Sequence, residues 1–305
     1  MKRRVFLKQA AWTTGIALAA PGLGWAGGLK SAERLTILHT NDWHSRIDPF
    51  PEGDGRNGGK GGALRRAALI DRIRAEEPNV LLLDSGDVFQ GTPYFNFFGG
   101  ELEFKLMSGM KYDAGTIGNH DFDAGLEGLA KQLPHANFPL LSANYDFSKT
   151  ILDGKTQPWL VLQRGPFKVG IFGLGIELKG LVPEKLYGNT VYQDPVEKAN
   201  RTALYLHERE RCDLVICLSH LGLFAERGKV NDRVLAAQSR HVDVILGGHT
   251  HTFMSEPELA ANRQGEPVLI NQVGWAGLRL GRLDIAFDRN RRRRMCTDCS
   301  YLEVV

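Results

Sequence analysis

Five short polar patches, each placed after an apolar segment, constrain the fold of this chain most strongly. The apolar segments have the length and composition of buried strands, and helical patterns separate several of them. The patches are Asp42-Trp43-His44, Gly86-Asp87, Gly118-Asn119-His120-Asp121, His220 and Gly248-His249-Thr250-His251. In open α/β sheets, side chains that follow the strands gather at the carboxyl edge of the sheet. We therefore expect an α/β fold with one polar site along that edge.

Strand and helix patterns alternate along the whole chain. The first half reads β-α-β-α-β, with strands predicted at residues 35–40, 79–84 and 114–117 and helices at 62–77 and 100–110. Further strands are predicted at 138–143, 159–162, 167–174, 213–218, 242–246, 267–273 and 281–287, with helices at 195–211 and 231–240. The second sheet should have some antiparallel character. We expect one catalytic domain over residues 27–290.

The N-terminus predicts export. Arg3-Arg4-Val5-Phe6-Leu7-Lys8 matches the twin-arginine signature, a weakly apolar stretch follows, and small residues permit cleavage after Ala26. We assign residues 1–26 to a signal peptide. The apolar stretch is too short and interrupted for a stable membrane span. The mature protein is expected in the periplasm or another extracytoplasmic space.

The charge balance does not favour a nucleic-acid-binding protein. The formal net charge is +3, but the first 26 residues contain four basic residues and no acidic one. The remainder has 34 basic and 35 acidic residues, a net charge of −1, so no nucleic-acid partner is indicated. The exception is a basic run near the C-terminus, and we interpret residues 291–305 as a solvated, basic, Cys-containing tail.

Four cysteines divide into two pairs. Cys212 and Cys217 lie in one predicted strand, where a rise of ~3.3 Å per residue separates them by roughly 16 Å, too far for a disulfide. We expect both to be buried thiols. Cys296 and Cys299 have a spacing that allows a small disulfide in an oxidising compartment, and without a second Cys pair they are weak evidence for zinc.

The polar patches contain a ligand set suited to divalent metals, which bind mixtures of carboxylate oxygen and imidazole nitrogen. Asp42 and His44 are two residues apart in an extended segment and so share a side, as His249 and His251 also do. Asp87 follows a glycine at a strand end, where a carboxylate can bridge two cations. Four other histidines fit no patch and are expected to be structural or exposed: His39, His135, His207 and His241.

The order of these patches resembles the calcineurin-like metallophosphoesterase superfamily. Asn41-Asp42, Asp84-Ser-Gly-Asp87-x-Phe-Gln-Gly-Thr and Gly118-Asn-His-Asp-Phe-Asp123 are more similar still to its 5′-nucleotidase/UDP-sugar hydrolase branch. The resemblance implies a four-layer α/β/β/α sandwich, in which two mixed sheets are flanked by helices. It also implies two divalent metal ions. One would be held by Asp42, His44, Asp87 and His251, and the other by Asp87, Asn119, His220 and His249.

Full-length nucleotidases of this branch carry a second domain that grips the nucleoside base. The expected catalytic domain ends near the C-terminus of the present sequence, so a separately encoded nucleotide-binding domain is one expected partner. The other expected partner is a small phosphorylated substrate, such as a nucleotide.

Phosphoester hydrolysis is the chemistry that these residues predict. Two metals lower the pKa of bound water to about 7 and hold the oxygens of an in-line displacement. His120 is the candidate acid or charge stabiliser for the leaving group. Asp123, three residues later, is the candidate that orients the His120 ring, with Asp121 as the alternative for that orienting role. The ligands accept Mn, Zn, Fe, Co or Ni. We expect a 5′-nucleotidase-like phosphomonoesterase. The alternatives are a phosphodiesterase, a nucleotide-sugar pyrophosphatase, a catalytic subunit that needs a nucleotide-binding partner, or a non-catalytic metal-binding protein.

Overall fold

Two six-stranded sheets form the centre of the protein. The computed structural model describes residues 34–224, 228–287 and 294–305. The first sheet contains β1 (Arg34–Thr40), β2 (Val80–Asp84), β3 (Ala114–Thr116), β4 (Leu140–Leu141), β13 (Arg279–Phe287) and β14 (Arg294–Glu303). Its strand order is β14-β13-β1-β2-β3-β4. Strands β1 to β4 are parallel, whereas β13 is antiparallel to both β1 and β14.

The second sheet is also mixed. It contains β6 (Trp159–Arg164), β7 (Phe167–Leu174), β9 (Leu214–Ser219), β10 (Val244–Gly247), β11 (Glu258–Ala261) and β12 (Pro267–Asn271). The order is β11-β12-β10-β9-β7-β6, with four parallel central strands and antiparallel strands at both edges. A separate two-stranded ribbon pairs β5 (Tyr145–Asp146) with β8 (Val191–Tyr192).

Helices cover the outer face of each sheet. Those packed on the first sheet are α1 (Ala63–Glu76), α2 (Pro93–Phe98), α3 (Glu101–Gly109), α4 (Gly125–Gln132) and α5 (Glu184–Tyr187). The second sheet is covered by α6 (Pro195–Leu204) and α7 (Asp232–Gln238). The protein is therefore a four-layer sandwich, as the resemblance implied.

The alternation of side chains along each strand produces these layers. Ile37 of β1 faces the space between the sheets, whereas the next residue, Leu38, packs against the helices of the first sheet. In β9, Ile216 faces the other sheet and Cys217 faces α6 and α7. Because both faces of these strands are buried, their sequences are apolar throughout rather than alternating.

Several elements differ from the sequence prediction. The helix expected over residues 195–211 ends at Leu204, and a five-residue π-helical turn, Tyr205–Arg209, continues it. The short elements α2, α4 and β11 were not predicted. Each has four to eight residues, and so short a segment carries little hydrophobic periodicity.

The C-terminal segment corrects one expectation. Residues 291–305 were interpreted as a solvated tail, but β14 occupies most of this segment and pairs along β13 at the edge of the first sheet. Beyond it, Val304 is buried and accepts a hydrogen bond from the Gly61 N–H. A strand at the edge of a sheet is partly exposed to solvent and can contain many polar residues. This segment therefore lacks the apolar pattern from which the other strands were predicted. The structure also records a Cys296–Cys299 disulfide, while Cys212 and Cys217 are buried free thiols.

Some expectations concern residues outside the described ranges. The twin-arginine segment, the cleavage site and the basic residues Arg289 and Arg291 to Arg293 all lie there. Within the described ranges, no helix is both long and apolar enough to cross a membrane.

His39 lies between the two sheets and is completely buried. The Asn271 side chain, from the second sheet, donates a hydrogen bond to His39 Nε2 at 2.8 Å. Gly281 on the neighbouring strand leaves room for the ring, since a Cβ atom there would lie 2.1 Å from Nε2. Burial lowers the pKa of His39 to about 3. The expectation that His39 is structural agrees with this position.

Because His39 stays neutral when folded, its burial makes stability depend on pH. The unfolded chain gains a proton at His39 below pH ~6.5, whereas the folded chain does not until about pH 3. The stability from neutral His39 is therefore complete above pH ~6.5 and is lost as the pH falls. Between about pH 7 and pH 5, we expect wild type to lose about 2 kcal/mol more unfolding free energy than His39→Gln. Denaturant titrations would measure this; equal pH slopes in both proteins would contradict it.

Candidate metal centre

The five polar patches meet at one end of the sandwich. They directly follow five strands of the two sheets: β1, β2, β3, β9 and β10. Both sheets present the carboxyl ends of their parallel strands at this edge, so residues distant in sequence converge there. Within the described residues, two groups of side chains are spaced closely enough to hold a metal ion.

The first group contains Asp42, His44 and His251. The Nε2 atoms of His44 and His251 are 2.9 Å apart, and His251 Nε2 lies 3.3 Å from Asp42 Oδ1. Asp42 is fully buried, whereas the His251 side chain is 40% exposed. The first group therefore extends from the buried Asp42 carboxylate to the solvent-exposed His251 ring.

The second group contains Asp87, His220 and His249. His220 Nε2 lies 3.0 Å from Asp87 Oδ2. Asn119 joins this group, since its Oδ1 lies 2.9 Å from His249 Nδ1. Asp87 also faces the first group, with Oδ2 4.0 Å from His44 Nε2. The Asp87 carboxylate thus lies between the two groups.

The environment of His220 fits a bound cation. Its Nδ1 lies 2.7 Å from the Ser85 carbonyl oxygen and donates to it, so Nε2 is directed at Asp87. Nε2 is buried and makes no hydrogen bond of acceptable geometry within the described chain. Burial lowers the pKa of His220, but the combined effects of Asp87, Asp42 and the Ser85 carbonyl outweigh burial and raise the pKa to about 10. A cation shared by this carboxylate and this imidazole would take the place of the proton.

The backbone of the site is strained. Five of the seven predicted ligands have a positive φ, between 50° and 69°: Asp42, His44, Asp87, His249 and His251. Non-glycine residues rarely adopt this conformation, and it persists only where the surroundings hold it. Such strain clusters at functional sites. The neighbouring hydrogen bonds must therefore keep these turns in place.

Asp121 organises the turn that contains Asp87. Its Oδ1 accepts the N–H groups of Val88 and Phe89, and its Oδ2 accepts those of Asp87 and Gly118. Burial and the charge of Asp87 raise the pKa of Asp121 to about 7. Because its two oxygens accept these four backbone N–H groups, and because Asp123 contacts His120 Nδ1, the geometry favours Asp123 over Asp121 as the residue that orients the His120 ring.

His120 and Asp123 form a pair at the mouth of the site. His120 Nδ1 lies 2.8 Å from Asp123 Oδ2, and the His120 ring lies edge-on to His44 at 5.2 Å between centroids. The hydrogen bond to Asp123 raises the pKa of His120, so a larger fraction of its rings is protonated near neutral pH. With 39% of the His120 side chain exposed, an entering ligand can reach the ring.

Two supporting residues were not predicted from the sequence. Asn41 donates to Asp42 Oδ2 and to the Gly274 carbonyl, and its Oδ1 accepts the Val273 N–H. Trp275 stacks on His251, with ring centroids 5.6 Å apart and planes 7° from parallel. Asn41 adjoins a predicted ligand in the sequence, whereas nothing in the sequence connects Trp275 with His251.

The remaining unassigned histidines lie in other surroundings. His207 and His241 stack on each other with centroids 4.4 Å apart. His135 lies 4.0 Å from Glu101. These contacts agree with the expectation of structural or surface roles.

Comparison with known proteins agrees with this arrangement. The sequence profile described as Calcineurin-like phosphoesterase matches residues 35–253, more than half of the chain. The chain belongs to the calcineurin-like phosphoesterase family. The match extends from the first strand, β1, past the last of the five patches.

Similar members of the calcineurin-like phosphoesterase family include nucleotidases. A snake venom 5′-nucleotidase from Crotalus adamanteus is 37% identical over 275 residues, covering 83% of this chain and 45% of the relative. The 5′-nucleotidase of Homo sapiens is 34% identical, covering 84% of this chain and 47% of the relative. A crystal structure of a 5′-nucleotidase precursor from Thermus thermophilus superimposes with a TM-score of 0.78 at 34% identity, covering 88% of this chain and 54% of that one. The chain thus spans about half the length of these relatives.

Because Asp121 accepts four backbone N–H groups, its substitution should affect both the stability and the metal content of this calcineurin-like phosphoesterase. Asp121→Asn replaces one acceptor oxygen by an NH₂ group that faces two buried N–H donors. We expect a loss of at least about 2 kcal/mol in unfolding free energy, together with reduced metal content. Denaturant titration and elemental analysis would measure both. Asp123→Asn is the control and should leave metal content unchanged; wild-type stability and metal content in Asp121→Asn would contradict the role of Asp121.

Proposed function

We propose that this protein hydrolyses phosphate monoesters with the help of two divalent cations, in the manner of a 5′-nucleotidase. The observation that carries the proposal is the position of Asp87 between two groups of imidazole and carboxylate ligands, beside the exposed His120–Asp123 pair. A pure metal-binding protein has no need for that pair, so the combination favours an enzyme.

Seven side chains would hold the cations. Asp42, His44, Asp87 and His251 form one ligand set, and Asp87, Asn119, His220 and His249 form the other. When bound, two such cations supply an activated water and charge neutralisation for the phosphoryl group. The mixture of oxygen and nitrogen ligands suits Mn, Zn, Fe, Co or Ni.

His120 would supply the proton for the leaving group. Asp123 binds Nδ1, which leaves Nε2 for the leaving group, and this hydrogen bond raises the pKa of His120, which favours the protonated ring. The backbone N–H of His120 also donates to Asp87 Oδ1 at 2.7 Å. This hydrogen bond holds His120, the proposed proton donor, close to Asp87, the ligand that lies between the two metal-binding groups.

We further propose that the substrate is a nucleoside monophosphate. The relatives named as 5′-nucleotidases support this, and they align over most of the present chain. Rates on a nucleoside 5′-monophosphate, a sugar phosphate, a phosphodiester and a UDP-sugar would test it. We expect the nucleotide to have the highest kcat/KM, and a higher value on the diester or the UDP-sugar would instead favour a phosphodiesterase or pyrophosphatase.

Two substitutions separate metal binding from proton transfer. His120→Ala should lower kcat by on the order of 10²-fold with metal content unchanged, because general acids contribute this much and His120 is not a proposed ligand. Asp87→Ala should lose metal as well as activity. The measurements are steady-state kinetics and elemental analysis, with His207→Ala as the control for an exposed histidine elsewhere.

Chelation tests the same proposal on the unmodified protein. A chelator should abolish turnover, and adding back a divalent metal should restore it. Full activity after complete metal removal would contradict the proposal. Tightly held metal with no turnover on any phosphoester would favour the non-catalytic alternative.

We also propose that the protein is exported through the twin-arginine pathway to the periplasm or another extracytoplasmic space. The support is the Arg3-Arg4-Val5-Phe6-Leu7-Lys8 sequence and the small residues before residue 27. Replacing Arg3 and Arg4 by lysine should retain the uncleaved precursor in the cytoplasm, as judged by fractionation and immunoblotting. Unchanged export of the double-lysine variant would argue against this pathway.

A further inference from the structure

Arg66 is a buried cation beneath the candidate metal centre. It lies in α1 with 1% of its surface exposed. None of its three guanidinium nitrogens has a hydrogen-bond partner among the described residues. Its Cζ instead lies 4.0 Å from the centroid of the Trp43 ring. A buried guanidinium is costly to desolvate, and a cation–π contact offsets part of that cost.

Trp43 occupies the middle of the turn that carries two proposed ligands. Asp42, His44 and Ser45 each have a φ of 52°, so the turn holds three non-glycine residues in the left-handed region. Trp43 is 2% exposed, and its Nε1 donates to the Arg46 carbonyl at 2.6 Å. A strained turn keeps its shape only where its surroundings prevent relaxation. The buried indole is therefore an anchor for the turn.

The surroundings of Arg66 hold the guanidinium against this indole. A Cβ atom at Gly277 would lie 3.0 Å from Arg66 Nη1 and 3.6 Å from Trp43 Cδ1, so this backbone packs closely against both side chains. The preceding residue, Ala276, donates its N–H to the Asp42 carbonyl at 2.7 Å. Helix α1, the ligand turn and the 276–277 segment thus pack together around Arg66.

Arg66 also acts electrostatically on the second ligand turn. Burial raises the pKa of Asp84 to about 6, and the charge of Arg66 opposes that rise. The Asp84 carboxylate accepts the Gly86 N–H at 2.9 Å, immediately before Asp87. The positive charge therefore favours the ionised carboxylate that holds the Gly86-Asp87 turn.

We propose that Arg66 is a positioning residue that, by stacking on Trp43, locks the Asp42–Ser45 turn in the shape that presents Asp42 and His44 to a metal ion. The inference rests on the proposed function, because it takes those two side chains as metal ligands. It adds a residue that touches neither metal nor substrate and acts through Trp43.

The test is a metal titration of the full-length, metal-free protein. Co²⁺ binding would be followed by calorimetry and by visible absorption for wild type, Arg66→Met, Arg66→Lys, Trp43→Leu and the Arg66→Met/Trp43→Leu double variant. Arg72→Met is the matched control, because Arg72 is an exposed arginine on the same helix. Circular dichroism would establish that each variant is folded.

We expect Arg66→Met to weaken the binding of one Co²⁺ ion by about tenfold, as the loss of supporting contacts around metal ligands typically does. Arg66→Lys keeps the charge but loses the planar stack, so it should fall between wild type and Arg66→Met. Arg72→Met should match wild type. Because Arg66 acts through Trp43, the double variant should bind Co²⁺ no more weakly than Trp43→Leu alone.

Three results would overturn the inference. The first is a folded Arg66→Met variant that binds Co²⁺ as tightly as wild type. The second is a double variant whose loss of Co²⁺ affinity equals the product of the losses in the two single variants. The third is an Arg72→Met variant that loses as much Co²⁺ affinity as Arg66→Met. If Arg66→Met does not fold, Arg66→Lys and Trp43→Phe decide, and wild-type Co²⁺ affinity in both overturns the role. If the wild-type protein does not bind Co²⁺, the proposed metal-dependent function is overturned together with the role of Arg66. If only the variants behave like wild type, the role of Arg66 alone is overturned.

Discussion

The buried carboxylate of Asp87 is the group on which the site depends. It follows β2 of the first sheet, yet it lies 3.0 Å from His220, which follows β9 of the second sheet, and 4.0 Å from His44. An uncompensated charge at such a position is strongly destabilising, so these partners must stay in place. Two further contacts join the sheets here, since Ser85 accepts from His220 and donates to the Leu246 carbonyl. The site therefore holds together the edge of the sandwich at which it forms.

The backbone of the turns that carry the proposed ligands is strained, and the surrounding residues must keep these turns in place. The ligand turns occupy left-handed backbone conformations, and buried groups keep them there: Asp121 by four hydrogen bonds, Asn41 by three and, in our proposal, Arg66 by stacking on Trp43. None of these three is a proposed ligand. Substitutions there should change metal binding without removing a ligand, as contacts that orient metal ligands generally do.

The sequence predicted the main features because they arise from strong local signals. Apolar segments identified parallel strands that are buried on both faces, and the polar residues that follow five of them identified the site. The division into two sheets came from the resemblance to calcineurin-like metallophosphoesterases. Contacts formed only by tertiary packing were not predictable. Asp121 adjoins a predicted proton donor, yet only the structure shows that its oxygens accept four backbone N–H groups. Strand β14 was missed because its polar residues face solvent at a sheet edge, and the stacking of Arg66 depends on how α1 packs.

Anomalous diffraction from crystals of the Mn²⁺-loaded protein would show whether two metal ions bind beside Asp87. We expect two anomalous peaks, one on each side of the Asp87 carboxylate. One should lie among Asp42, His44 and His251, and the other among Asn119, His220 and His249. A single peak with Asp87 unligated, or metal bound only elsewhere on the protein, would contradict it.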